Sequence, residues 1–443
     1  MLIKAPKGTY DVLPQDSSAW QAVERVMREN AALAGYREIR TPVFEHTELF
    51  ARGVGDTTDV VQKEMYTFLD KGRRSITLKP EGTAGVVRAM LEAGLHQGAL
   101  PVKVYYLNTP VFRYEAPQAG RMREHHQFGV EVFGAALPTV DAEVIALAAR
   151  VIRSLGVDDF VVNINSIGCP VCRPTYHTRL RGYLEERKDG LCETCRERLS
   201  RNPMRALDCK VESCQTLLAG APVPLDDLCG ECGAHFDGLK NALDVLGIEY
   251  RVNPRIVRGL DYYTRTVFEL IAQTDQGRHA VCGGGRYDGL VGQLGGPNMP
   301  GIGFGMGIER LLMLLEHSGN TPPSAQTPDV YIAPLSERDR MEAFAIAEQL
   351  RGEGIKSDCD HVGRSLKAQF RYADKAGARL LIIIGGDEAA RGEARVRDLA
   401  AHEEAVIPLA SIAHEARERL GNLRVRGAAT SRSGASGAEP PSK

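Results

Sequence analysis

Residues 101–134, PVKVYYLNTPVFRYEAPQAGRMREHHQFGVEVFG, constrain the fold more than any other stretch. Val102, Val104 and Tyr106 alternate with Lys103 and Tyr105, and the run stays β-branched and aromatic through Phe112, which predicts a strand. Phe128, Val130 and Val132 alternate with Gly129 and Glu131, which predicts a second. Between them lies a polar loop with Pro117, Gly120 and the cations Arg113, Arg121 and Arg123. Hairpins normally close in about two to five residues, so a longer loop is usually functional or disordered. Three guanidiniums there offer planar forks matched to phosphate oxygens. A solvated hairpin tip is the bland counterpart.

Elsewhere the chain narrows the choice. Its 443 residues, 43% of them hydrophobic, suit about two or three domains with a sizeable core. Lys plus Arg (55) nearly balances Asp plus Glu (57), so any polyanion site is a local patch. The opening MLIKAPKGTYDVLPQDS has no signal-peptide core, and no apolar run approaches a membrane span. A cytoplasmic protein without a membrane partner is expected. Ten cysteines in that setting point to reduced thiols or metal ligands rather than disulfides.

In order, Trp20, Val23, Met27, Ala31 and Ala34 have helical spacing, with Gly35 as a stop. A strand is expected at Tyr36–Arg40 and another at Ile76 and Leu78. Pro80-Glu81-Gly82-Thr83 then turns into a helix. Its carboxylate and hydroxyl suit an ammonium ligand, and capping by Thr83 is the simpler reading. Val140, Val144, Leu147, Val151 and Leu155 predict a helix over 138–155, followed by the strand FVVNINSIG.

From Cys169 to Cys232 the composition shifts. Cys169-x-x-Cys172, Cys192-x-x-Cys195, Cys209-x₄-Cys214 and Cys229-x-x-Cys232 bring eight thiols into a short insert. That density suits one or two tetrahedral thiolate zinc sites, structural because four thiolates leave no open position. The other reading is a set of reduced thiols in a helical insert, helped by the loose Cys209-x₄-Cys214 spacing.

YRVNPRIVRGLDYYTRTVFELIA reads as strands around a turn at Gly259, where Arg258, Asp261, Tyr262 and Tyr263 cluster. CGGGRYDGLVGQLGG is glycine-dense, which allows close backbone approach to a ligand. MPGIGFGMGIERLLMLLEHSG passes from a glycine-broken strand into a helix with Arg310 in its first turn. A cation there opposes the helix dipole, so an anionic ligand is expected to hold it. HSGNTPPSAQTP is a linker by composition. Beyond it, alternating strands and helices predict a small α/β domain with mostly parallel strands. There Arg364, Lys367, Arg371 and Lys375 are spaced to share one helical face over Leu366, Phe370 and Ala373, a solvated stripe or a nucleic-acid patch. The tail should be disordered.

Together these stretches resemble the class II aminoacyl-tRNA synthetases, specifically the histidyl-tRNA synthetase family, from Lys7 to about residue 420. KGTYDVLP and IRTPVFEHTELF are similar to that family's opening and dimer-forming first motif. Phe112-Arg113-Tyr114-Glu115 with its loop resembles the second motif, and Gly307-Ile308-Glu309-Arg310-Leu311 the third. RGLDYYTRTVFE and GGGRYDGL single out histidine. The resemblance implies an α+β fold, an antiparallel sheet with flanking helices. Its catalytic core is expected over 1–325 with the cysteine-rich insertion at 169–240. An anticodon-binding α/β domain over 326–422 and a tail over 423–443 complete the chain.

The activity so implied is formation of histidyl-adenylate from histidine and ATP with Mg²⁺, then transfer to tRNA(His), by a homodimer. By resemblance Arg113 holds the α-phosphate, Arg310 and Arg121 hold the outer phosphates, and Arg258 bridges histidine carboxylate and α-phosphate. Glu81, Thr83 and Gln127 hold the ammonium, Glu131 and Tyr263 the imidazole, and Tyr262 and Tyr287 line the pocket. Gln118 and the Arg364–Lys375 stripe face tRNA. Two positions depart from the pattern. Ala116 stands where relatives usually carry a basic residue, and His125 where an aromatic one is usual. The insert's cysteines are no general family feature. One alternative is the non-catalytic regulatory paralogue of ATP phosphoribosyltransferase, which typically lacks the C-terminal domain and parts of the histidine motifs. Another, a zinc-ribbon tRNA-binding module without chemistry, leaves the ATP motifs unexplained.

Overall fold

A computed structural model describes residues 2–421 except 56–57, 118–119, 121, 210, 276 and 321–326. Gln118, Arg121, half of the expected linker and the tail therefore lie outside the described residues. The chain divides into two compact units at residues 323/324.

In the first unit, α1 (Pro14–Leu33) starts on a proline that needs no donor there and stops before Gly35, whose φ of +78° suits glycine. The expected strand at 36–40 shortens to β1 (Arg37–Glu38). A small sheet of β2 (Phe44–His46), β3 (Thr67–Leu69) and β4 (Ser75–Leu78), in the order β2-β4-β3, accompanies α2 (Thr47–Val54). Next come α3 (Thr83–Glu92), β5 (Val102–Phe112), β6 (Glu124–Phe133), α4 (Pro138–Ser154) and β7 (Phe160–Ser166). The insert folds as α5 (Arg173–Glu185), α6 (Glu193–Arg201) and α7 (Glu212–Leu218), then enters α8 (Gly230–Val245). Residue 240 thus falls inside a continuous helix whose Phe236, Leu239 and Leu243 belong to the main core. The unit ends with β8 (Tyr250–Val252), β9 (Thr264–Thr274), β10 (Gly277–Arg286), α9 (Leu290–Gln293), β11 (Gly301–Gly307) and α10 (Ile308–His317).

The main sheet runs β1-β5-β6-β11-β10-β9-β7-β8. Its central strands from β5 to β7 pair antiparallel, while the short edges β1 and β8 are parallel to their neighbours. Side chains alternate across a sheet, and this alternation separates core from site. Phe128, Val130 and Val132 of β6 and Ile302, Phe304 and Met306 of β11 pack under α1, α4, α8 and α10. On the other face β11 presents only Gly301, Gly303, Gly305 and Gly307. The glycine-broken strand is thus a regular one with its second face left bare.

In the second unit β12 (Val330–Pro334), α11 (Arg340–Gly352), β13 (Ser357–Cys359), α12 (Leu366–Lys375), β14 (Leu380–Ile384), β15 (Glu393–Asp398) and β16 (Glu404–Pro408) build a sheet ordered β13-β12-β14-β15-β16. The expected mostly parallel sheet is half antiparallel. β12 is parallel to β13 and β14, but β14-β15 and β15-β16 are antiparallel. No long helix crosses over after β14, and connections that short allow only antiparallel return. A last helix spans 412–421. Among the described residues no helix is long and apolar enough to cross a membrane.

Candidate active site

A cavity of about 950 Å³ opens on the glycine face of the main sheet. Six arginines of the described residues line it, among them the three expected from distant parts of the chain: Arg113 after β5, Arg258 ahead of β9 and Arg310 in the first turn of α10. Arg113 donates from Nε to the Pro80 carbonyl at 2.9 Å and lies 3.7 Å from Glu64. Arg310 donates to the Ala280 carbonyl at 2.7 Å. Arg258 pairs with Glu269 at 2.6 Å, while its buried Nε has no hydrogen-bond partner among the described residues. Arg258 lies flat on β10 because position 283 is glycine, where a Cβ would collide with the guanidinium. Gln127, Glu269 and His125 also line the cavity, and His125 Nδ1 stands 3.3 Å from the Met122 carbonyl.

Beyond the cavity floor, the remaining expected residues close on one another. The carboxylate of Glu81, not the hydroxyl of Thr83, caps α3: the Thr83 and Ala84 N–H groups donate to it at 2.7 and 2.8 Å. Thr83 is already inside the helix, so its hydroxyl is released to donate to Glu131 at 2.7 Å. Tyr287 donates to the other Glu131 oxygen, and Tyr262 reaches Glu81 at 3.5 Å. The rings of Tyr262, Tyr263 and Tyr287 pack mutually with centroids 4.7 to 6.5 Å apart. Burial pushes Glu131 up to about 8, against the lowering effect of the Tyr287 and Thr83 hydrogen bonds. Burial also raises Glu81, opposed by the N–H groups of Ala84 and Thr83.

Two motif residues turn out to be braces. Glu309 accepts from the His126 N–H at 2.9 and 3.0 Å and from its ring, tying α10 to β6. Arg286 is almost wholly buried and pairs with Asp141 of α4, which His235 of α8 also contacts at 2.8 Å.

The eight insert cysteines gather into two groups, Cys169, Cys172, Cys229 and Cys232, and Cys192, Cys195, Cys209 and Cys214, with all sulfurs of each within 4.8 Å of one another. The loose Cys209-x₄-Cys214 pair closes the second group as well as a tighter pair would. Burial raises the Cys169 thiol, but the Cys172 and Val171 N–H groups outweigh it and hold it at about 7. The Cys195 N–H brings Cys192 down to about 7.

In the second unit Lys367, Arg371 and Lys375 are exposed on α12 over Leu366, Phe370 and Ala373. Arg364 departs from the expected stripe. It precedes the Ser365 cap, binds Asp360 at 2.8 Å and stacks on Tyr372. Arg205, Glu269 and Arg278 of the cavity lining were not anticipated. Glu269 had a usable signal, a carboxylate alternating with Phe268 and Leu270 in β9. Arg205, carried by the insert, had none.

The profile of the family described as histidyl-tRNA synthetase matches residues 8–311, and that of the anticodon binding domain residues 329–419. A histidine–tRNA ligase of Caldanaerobacter subterraneus subsp. tengcongensis is 53% identical over 407 residues, 92% of this chain and 97% of the relative. One of Caldicellulosiruptor bescii is 52% identical over 420 residues, 95% of this chain and all of the relative (100%). The crystal structure of apo Staphylococcus aureus histidyl-tRNA synthetase is similar with a TM-score of 0.80 and 39% identity, covering 94% of this chain and 99% of that one. The chain belongs to the histidyl-tRNA synthetase family, a class II fold followed by an anticodon-binding domain.

Proposed function

We propose that the chain is a histidine–tRNA ligase: it activates L-histidine with ATP and passes the histidyl group to the 3′ end of tRNA(His). The observation that carries this is the convergence of Arg113, Arg258 and Arg310 on one cavity, with Arg258 against Tyr263 of the buried Glu81, Thr83, Glu131 and tyrosine set that lies beyond its floor. A carboxylate oxygen of histidine attacks the α-phosphorus, the bond to the bridging oxygen breaks, and pyrophosphate leaves. A hydroxyl of the terminal adenosine then attacks the carbonyl carbon, losing its proton as AMP departs.

The barrier is charge repulsion, worth about 4 kcal/mol for like unit charges about 4 Å apart at an effective dielectric near 20. Fixed cations aimed at the developing charge lower it. Arg113 takes the α-phosphate, Arg310 and Arg121 the outer phosphates, and Arg258 bridges carboxylate and α-phosphate. Glu81, Thr83 and Gln127 receive the ammonium. Glu131 and Tyr263 read the imidazole, against Tyr262 and Tyr287. Magnesium enters on ATP. It is held mainly by phosphates and water, and the cavity's carboxylates among the described residues are Asp59, Glu64, Glu115, Asp159 and Glu269, the last paired with Arg258.

The two cysteine groups take structural zinc. Gln118 and the α12 cations Lys367, Arg371 and Lys375 contact tRNA, with Arg364 buttressing them through Asp360 and Tyr372. A homodimer is supported by Val43, Phe44, Phe68 and Leu69, apolar yet exposed around the small sheet of β2, β3 and β4. Ten free cysteines suit the reducing cytoplasm. The catalytic core is read as 1–325 and the anticodon-binding domain as 326–422. The regulatory-paralogue alternative is not favoured, because the three arginines and the second unit are all kept. Histidine-dependent exchange of pyrophosphate into ATP tests the reading. We expect exchange in the wild type and a loss of about 10²–10³-fold in Arg258→Ala. Absence of exchange in folded wild-type protein would reject it.

A further inference from the structure

Both cysteine groups grip the same short piece of chain. Residues 258–263 carry Arg258, Tyr262 and Tyr263, and adopt neither helix nor strand before β9 begins at Thr264. At one end Arg173, next to Cys172, donates to the Tyr263 carbonyl at 2.5 Å, and the Arg265 N–H donates to the Gly168 carbonyl, next to Cys169, at 2.8 Å. At the other end stands Arg205, on a 3₁₀ turn (Pro203–Asp208) that closes onto Cys209 through the Cys209 N–H and the Ala206 carbonyl. Arg205 donates to the Gly259 carbonyl at 2.6 Å and the Arg258 carbonyl at 3.5 Å, and its Nε lies 3.7 Å from Asp261. Asn202 donates to the same Asp261 oxygen at 3.1 Å. The loop that meets histidine is thus held by side chains of the insert.

The sulfurs have the spacing of metal sites. Zn–S bonds of about 2.3 Å arranged tetrahedrally put sulfurs about 3.8 Å apart. Cys169–Cys172, Cys172–Cys232 and Cys169–Cys229 are separated by 3.7, 3.8 and 3.9 Å, and Cys192–Cys209 by 3.8 Å. Disulfides would need about 2.05 Å. The N–H groups of Cys169, Val171 and Cys192 point at sulfurs at 3.1 to 3.4 Å, as donors to thiolates do. Around the second group, α6 has 9 residues and α7 has 7, too short to persist without tertiary support. A bound metal would supply that support as folding free energy.

We propose that each group binds one Zn²⁺, and that the second ion, acting through Arg205, holds the Arg258–Asp261 backbone in register with histidine. Arg205 is then a positioning residue, and the proposal rests on the ligase reading above. Metal analysis of purified chain should give about two equivalents of zinc, and Cys209→Ser/Cys214→Ser about one. Arg205→Ala touches no sulfur and should keep both. In pyrophosphate exchange it should raise the KM for histidine about tenfold to a hundredfold, as misplacement by about 1 Å does. The KM for ATP should move less than about twofold, and Arg205→Lys should recover part of the loss. Zinc removal from the wild type should speed hydrogen exchange across 258–263, and zinc return should reverse it.

Less than about half an equivalent of zinc would overturn the metal sites. An unchanged histidine KM in Arg205→Ala, or unchanged exchange across 258–263 in stripped protein, would overturn the positioning role. Lack of pyrophosphate exchange in the wild type would instead sink the ligase reading, while metal content and hydrogen exchange still report on the clusters.

Discussion

Glu131 is fully buried between the hydroxyls of Thr83 and Tyr287, and burial raises it to about 8. Near neutrality it therefore carries a proton, and an imidazole with an ordinary pKa of about 6.5 does not. In the proposed binding mode the two share that single proton once histidine is bound. Below about pH 6.5 both hold one and the fit worsens, while above about 8 neither does. The KM for histidine should pass through a minimum between these limits, measured by pyrophosphate exchange. Glu131→Gln should raise the minimum and flatten the upper limb. Because the folded pKa lies above the unfolded one, the associated stability is present below about pH 4.5 and lost as pH rises through about 8. Urea melts of wild type and Glu131→Gln should diverge over that window. The residue types of this pocket were legible from family motifs, but its wiring was not. A threonine at a helix start reads as a cap, and only the fold shows that Glu81 takes that role and frees Thr83.

At the level of elements, β11 shows how far a repeated glycine reaches. A Cβ at Gly303 would overlap the Glu131 carboxylate and the Val130 carbonyl. Gly303→Ala should therefore weaken histidine binding by about 1–3 kcal/mol, the usual range for overpacking, read by calorimetric titration. Arg286→Ala should destabilise the first unit by about 3–5 kcal/mol in urea unfolding, because Asp141 would be left buried without its strongest partner. The long strands were readable because alternation over ten or more residues is a strong signal, as in β5, β6 and β9. β13, with three residues, carries no period to read, and β1, with two, and β8, with three, lie inside longer stretches expected as strands. The six residues of β15 alternate half-buried with buried positions, yet the sequence reading passes over them. Missing that strand led to the expectation of a mostly parallel sheet.

For the whole molecule, chemistry and anticodon contact fall to separate units, so their variants should separate too. Arg371→Glu/Lys375→Glu should leave pyrophosphate exchange intact and raise the KM for tRNA about tenfold in aminoacylation, with a shallower salt dependence. The two units part at residues 323/324, within the stretch read by composition as a linker. Which of the eight cysteines share a group was not legible, because sequence spacing cannot say which pairs meet. The self-paired pocket has a consequence for the idle enzyme. Glu81, Thr83, Glu131 and Tyr287 are bonded to one another, so under the proposed role a side chain entering the pocket meets a closed circuit. An arriving side chain must open the Thr83–Glu131 and Tyr287–Glu131 bonds before it can stay. Imidazole returns what it displaces, whereas an apolar or ill-placed side chain leaves buried groups unmatched. Intruders are turned away by what they would have to break.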